Sequence, residues 1–137
     1  MPTIEEQYLS KHPTSKETYA NATEVFPDGV THDNRFLMPF PIVATHANGS
    51  RKWDVDGNEY VDYVMGHGAL LLGHSHPDVV NAVTGKMAQG THLGANTKDE
   101  LEWGRLVQQL IPSAERVRFT SSGTEATLLA LRLVRAF

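Results

Sequence analysis

Polar and apolar positions along this chain change period several times, and each change predicts an element. Residues 1 to about 25 are mostly polar and read as helical. Pro13 interrupts them, because proline lacks the amide a helix interior needs. Tyr19, Ala22 and Val25 give a second helix, Ser15 to Glu24, a weak apolar stripe. Phe26 to Pro41, with Pro27, Pro39 and Pro41, reads as an extended loop. The period then becomes two. Pro41 to His46 is β-rich. Lys52 to Val55 sets Trp53 and Val55 on one face, and Glu59 to Val64 does the same for Val61 and Tyr63. Asn48-Gly49 and Asp56-Gly57 supply the turns. The prediction is a three-stranded antiparallel meander, too small to be stable unaided.

Gly66 to Gly73 is a glycine-punctuated apolar loop, after which the period returns to that of a helix. Pro77 suits a first helical position, and Val79, Val80, Val83 and Met87 form a stripe that closes at Gly90. Gly90 to Asn96 reads as a loop. Thr97 and Glu100 form a capping box, Trp103, Leu106, Val107 and Leu110 follow helical spacing, and Pro112 ends the run. Val117 to Thr120 reads as a strand. The helix from Thr124 to Phe137 is apolar nearly all round, with Ala126, Leu128, Leu129, Ala130, Leu131, Leu133 and Val134. Such a helix demands burial on most sides, and its strand demands partners this chain does not supply. The pattern predicts the opening portion of a larger fold, self-associating through exposed apolar surface when alone.

Composition narrows the function classes. The 137 residues carry 12 basic and 16 acidic side chains, a net charge of −4, with pI near 5.9. That balance argues against nucleic acid as the main partner. The chain has no cysteine, which excludes a disulfide scaffold and thiol chemistry. No apolar run approaches membrane-spanning length, so no membrane role is expected. The acidic start Met1-Pro2-Thr3-Ile4-Glu5-Glu6 lacks the layout of a secretory signal, and the expected compartment is the cytoplasm.

The stretch with most chemistry is Val117-Arg118-Phe119-Thr120-Ser121-Ser122-Gly123-Thr124-Glu125-Ala126. A strand, a tight turn and a helix start make an anion site, because the first amides of a helix lack intrahelical acceptors. Gly123 lets a ligand approach the backbone, and Ser122 and Thr124 add hydroxyls. The same letters also form a capping box, Ser122 with Glu125, which needs no ligand. No Gly-Lys-Ser/Thr follows, so it is not a Walker loop.

Several blocks together resemble class III pyridoxal-phosphate aminotransferases, glutamate-1-semialdehyde aminomutases among them. They are Ser121–Ala126 with the following Leu128–Ala136, Trp53–Tyr63, Gly73–Val79, and Pro27-Asp28-Gly29-Val30-Thr31, where Asp28 stands in place of a usual glycine. Their order and spacing match the family from about Phe26 onward. The resemblance implies an α/β fold, the N-terminal part of a fold-type-I transferase: an N-terminal helix, a small antiparallel meander and the start of the large domain. Residues 1–72 are then the N-terminal segment with the meander, and 73–137 the first, incomplete part of the cofactor domain.

It also implies chemistry. Ser122, Gly123 and Thr124 hold the phosphate of pyridoxal 5′-phosphate. Arg35 falls where the aminomutase has an arginine for the substrate carboxylate, and guanidinium suits that task; a plain exposed loop arginine is the other reading. His67 falls at a substrate-lining tryptophan and His32 at a substrate-contacting serine. Both departures leave room for another amino donor, such as a β-amino or aromatic amino acid. The family's catalytic lysine, pyridinium-partner aspartate and ring-stacking aromatic find no match. Lys11, Lys16, Lys52, Lys86 and Lys98 fit no such motif and read as surface lysines. The expected protein is an amino-acid transaminase or aminomutase, a homodimer at full length and inactive as this chain alone. Two alternatives stand beside it. One is a non-catalytic remnant or interaction module. The other is a metal-dependent hydrolase using His74, His76 and Asp78, residue types suited to zinc, although Val79 stands where that motif has its last histidine.

Overall fold

The structure is a computed structural model and describes all residues, Met1–Phe137. Contacts group the chain into two compact units, Met1–Gln89 and Gly90–Phe137.

In the first unit, α1 (Ile4–Lys11) and α2 (Pro13–Ala22) are separated by His12, whose φ of −129° breaks the helical path. Pro13 is the first residue of α2 rather than an interruption within a helix, since its missing amide costs nothing there. Thr3 and Glu6 cap α1 reciprocally. The cap of α2 comes from far along the chain. The Asp56 carboxylate accepts from the Thr14 amide (2.7 Å), the Ser15 amide (2.9 Å) and the Ser15 hydroxyl (2.7 Å). Desolvation opposes its charge, yet these hydrogen bonds bring its pKa down to about 2.

The meander forms as β1 (Ala44–Asn48), β2 (Arg51–Asp54) and β3 (Glu59–Val61), antiparallel and in that order. Asn48 pairs with Arg51, so the two-residue loop is Gly49-Ser50, one position later than the expected Asn48-Gly49. Gly49 takes φ 53°, which glycine does without strain. Strand β3 is shorter than the expected Glu59 to Val64. Asp62 still donates its amide to the Ser50 carbonyl (2.8 Å), but its carboxylate folds onto the amides of Val64 (2.9 Å) and Met65 (3.2 Å) and the strand ends there. Helix α3 (Pro77–Met87) follows.

The centre of this unit is polar. Phe40, in ring contact with Tyr8 and Tyr19, is the buried hydrophobic residue, while His12, Ser15, Asp54 and Asp62 are buried polar ones. Asp54 accepts from the Asp56 and Asn58 amides, the Asn58 side chain and the Tyr60 hydroxyl (2.6 Å). Burial opposes its charge, but these donors outweigh it and hold its carboxyl below the usual carboxylate range. Tyr60 also lies 2.6 Å from His12 Nε2, and His12 Nδ1 lies 2.7 Å from the Tyr8 carbonyl. The His12 ring lies 3.6 Å from the Asp54 carboxylate, on the same buried network.

The second unit holds α4 (Lys98–Leu110) and α5 (Gly123–Ala136). Thr97 and Glu100 form the expected capping box. The expected strand at Val117 to Thr120 does not form: those residues are irregular. A strand needs a neighbour for its amides and carbonyls, and this unit contains none. Phe119 instead stacks on Trp103, ring centroids 3.8 Å apart. The apolar faces of both helices stay open, with Leu106 55% and Leu131 54% exposed. No helix of the chain is long and apolar enough to cross a membrane.

Candidate functional site

Three residues singled out in sequence meet in the first unit. His32, Arg35 and His67 line one concavity of about 450 Å³, together with Asp33 and Asn34. A short 3₁₀ turn, Asp33–Arg35, carries Arg35, whose Nη1 donates to Thr31 Oγ1 at 2.9 Å. Fastening one guanidinium nitrogen limits the arm's freedom while leaving other donors for a ligand. His67 arrives from the loop after β3, its Nε2 at 3.4 Å from Asn34 Nδ2. Two imidazoles, a guanidinium, a side-chain amide and the Asp33 carboxylate thus line one space, in which the Arg35 guanidinium is the group suited to a carboxylate.

Upstream, Asp28 and Gly29 both lie in the left-handed region, at φ 52° and 66°. That explains why glycine is usual at the position Asp28 holds; aspartate is among the few other residues that tolerate it. Gly29 has no such substitute. A Cβ there would sit 2.6 Å from the Tyr19 ring.

The second candidate site begins α5. Ser122 is the N-cap in extended backbone, and its Oγ accepts from the Glu125 amide at 3.2 Å. The Glu125 carboxylate reaches past it to the Ser121 amide at 2.8 Å, so the capping box closes one residue early. Gly123 is the first helical residue, with no atom within 4 Å of where a Cβ would stand. The amides of Gly123 and Thr124 head the helix without intrahelical acceptors, and Ser122, Gly123 and Thr124 are all exposed. Those two amides and the hydroxyl proton of Ser122, whose oxygen alone is engaged, are free donors of the kind an anion takes.

The hydrolase alternative is not assembled. No group of three or more His, Cys, Asp or Glu side chains comes together to hold a metal. His74 Nε2 lies 2.7 Å from Asp62 Oδ2, and its backbone pairs with Gly49. His76 and Asp78 sit at the start of α3, 4.0 Å apart, and His76 makes no side-chain cap.

Sequence reasoning missed Asp33, Asn34 and Asp62. The first two had a signal, their adjacency to Arg35. Asp62 stands between a strand and the run Val64-Met65-Gly66-His67-Gly68, where an acidic group can satisfy free amides.

The family model for class III aminotransferases matches residues 33–137. This chain belongs to that family. It is 49% identical over 129 residues to a glutamate-1-semialdehyde 2,1-aminomutase of Chloroflexus aurantiacus, covering 92% of this chain and 29% of that protein. The structure is similar to a β-phenylalanine aminotransferase from Variovorax paradoxus, with TM-score 0.89 and 32% identity over 92% of this chain and 29% of that one. A transaminase solved with PLP bound gives 0.86 and 36%, over 90% and 29%. The fold class is therefore α/β, the N-terminal part of a fold-type-I PLP-dependent transferase. The chain spans about 29% of the length of these relatives.

Proposed function

We propose that this chain supplies two parts of a pyridoxal-phosphate-dependent aminotransferase: a phosphate cap at Ser122, Gly123 and Thr124, and a substrate pocket at His32, Arg35 and His67. The observation that carries it is the convergence of His32, Arg35 and His67, drawn from two separate loops, on one concavity, in a chain of this family. When bound, the cofactor supplies the electron sink for amino-group transfer. The chain's own residues bind and orient. Gly123 and Thr124 amides and the Ser122 hydroxyl hold the phosphate dianion; Arg35 takes the substrate carboxylate; His32 and His67 bound the space for the rest of the substrate.

The substrate is an amino acid, and a β-amino acid is the favoured class. The two histidines support it, as does likeness to the Variovorax β-phenylalanine enzyme. Glutamate-1-semialdehyde is the second reading, supported by 49% identity to an aminomutase. The working form in this reading is a cytoplasmic homodimer. None of the five lysines lies in a motif suited to covalent catalysis, so the 137-residue chain alone does not turn over. The test is the purified chain with pyridoxal phosphate and a panel of α- and β-amino donors. The expected result is no turnover beyond that of free cofactor, with β-amino acids perturbing the Arg35 and His67 signals in NMR spectra. Turnover well above background contradicts the inactivity, and silent Arg35 and His67 signals contradict the pocket.

A further inference from the structure

The loop that delivers His67 has an unusual backbone. Met65, Gly66, His67 and Gly68 have φ values of 44°, 61°, 58° and 85°, four left-handed residues in succession. The Gly68 amide donates to the Val64 carbonyl at 3.1 Å and the Leu70 amide to the Met65 carbonyl at 3.1 Å. This is a tight turn of left-handed backbone. L-residues visit that region singly and at a cost, and only two of the four are glycine. Such a turn persists only where its surroundings over-determine it.

Asp62 does so. It is buried, and its Oδ1 accepts from the Val64 and Met65 amides that open the turn. Lys52 Nζ stands 3.4 Å from the same oxygen, while Oδ2 is held by His74 Nε2 at 2.7 Å. The Asp62 amide itself donates to the Ser50 carbonyl at 2.8 Å, which ties it to the hairpin. One carboxylate thus joins the sheet, the segment before α3 and the start of the strained turn. At the far side of that turn, His67 faces Asn34 and shares the concavity with Arg35.

We propose that Asp62 is a positioning residue: by capping the amides that open the left-handed turn, it holds His67 against the Arg35 pocket and so sets which carboxylate ligand the pocket accepts. This rests on reading the pocket as a carboxylate site. A less strained loop can carry a histidine too, but without fixing its ring. The strain at Met65 and His67 is the cost of that fixed orientation, and glycine at 67 relieves it while removing the ring.

The test uses the isotope-labelled 137-residue chain. Backbone couplings at residues 65–68 report the turn, cross-strand contacts in β1–β3 report folding, and titration with 3-aminobutanoate is followed at Arg35 and His67. In Asp62→Ala the sheet contacts remain, the left-handed signature at 65–68 is lost, and binding weakens by about tenfold or more, since a small displacement of a positioned group has that scale of effect. Asp62→Asn keeps an oxygen for the two amides; it retains the signature and binds within about threefold of the parent, the scale of one weakened hydrogen bond. The Asn variant decides the matter if Asp62→Ala unfolds. Parent-like binding and an unchanged turn in Asp62→Ala overturn the proposal, as does lost binding with the turn intact in Asp62→Asn. If 3-aminobutanoate moves no signal in the parent chain, the carboxylate-pocket reading falls, and with it the part of the proposal that concerns ligand choice. The backbone signals still judge Asp62's hold on the turn.

Discussion

The two units stabilise themselves in opposite ways. In the first, residues far apart in sequence are joined by polar bonds, most of them partly buried: Tyr8 to the Phe40 carbonyl, His12 to Tyr60, Ser15 to Asp56, Asn58 to the Lys11 carbonyl. In the second, the polar bonds are short-range caps, Thr97 with Glu100 and Ser122 with Glu125, and the apolar faces are uncovered. The contrast teaches where each candidate site gets its shape. The Arg35 pocket lies in the unit that this cross-linked network holds together. The start of α5 is shaped by its own cap and needs little else.

The largest expected effect breaks that contrast at its centre. Asp54→Ala strands the Tyr60 hydroxyl, two amides and the His12 ring, and removing one partner of a buried pair costs about 3–5 kcal/mol. Denaturant unfolding followed by the environment of Trp53 should show the first unit lost. Trp103 signals should change little; an equal change at both tryptophans means that the units are not independent.

Acid comes next. Asp62 is lowered first by its hydrogen bond from His74, against burial, and further by two amides and Lys52; Asp54 and Asp56 are also lowered. Each folded value lies under the unfolded one of about 3.9, so the stabilisation is complete above about pH 5 and is lost as the pH falls toward 2. Circular dichroism and cross-strand NMR contacts should record meander loss across that window. A meander unchanged at pH 2 contradicts the network's weight.

A cap deletion tests the other unit. Thr97→Ala should cost about 1 kcal/mol, felt as fraying of the first turn of α4 in hydrogen exchange, with β1–β3 unaffected. The smallest effect has the opposite sign. Asp28→Gly frees a residue held at φ 52° and should stabilise the first unit by about 0.5–1 kcal/mol, read as a raised thermal midpoint.

Local chemistry was the legible part of this fold. The caps at Thr97 and Ser122, the stop at Pro112 and the three-stranded meander are carried by neighbouring residues, and period and turn residues report neighbours well. The strand at Val117 to Thr120 was misread because a strand is completed by a partner, and its residues here have none. The network around Asp54 was illegible for a related reason. It joins residues whose sequence separation carries no periodic signal. For the pocket, family resemblance pointed to Arg35, His32 and His67, and the fold brings them together; Asn34 and Asp33 came only with the coordinates.

The central claim is that a chain of this family, at 29% of its relatives' length, still presents a phosphate-binding helix start. The direct measurement is an amide NMR titration of the 137-residue chain with inorganic phosphate and then with pyridoxal phosphate. The account predicts saturable shifts at Gly123 and Thr124, reduced in Ser122→Ala, with the amides of α4 unmoved. Shifts that appear equally at the starts of α1 and α4, or that survive unchanged in Ser122→Ala, would contradict it.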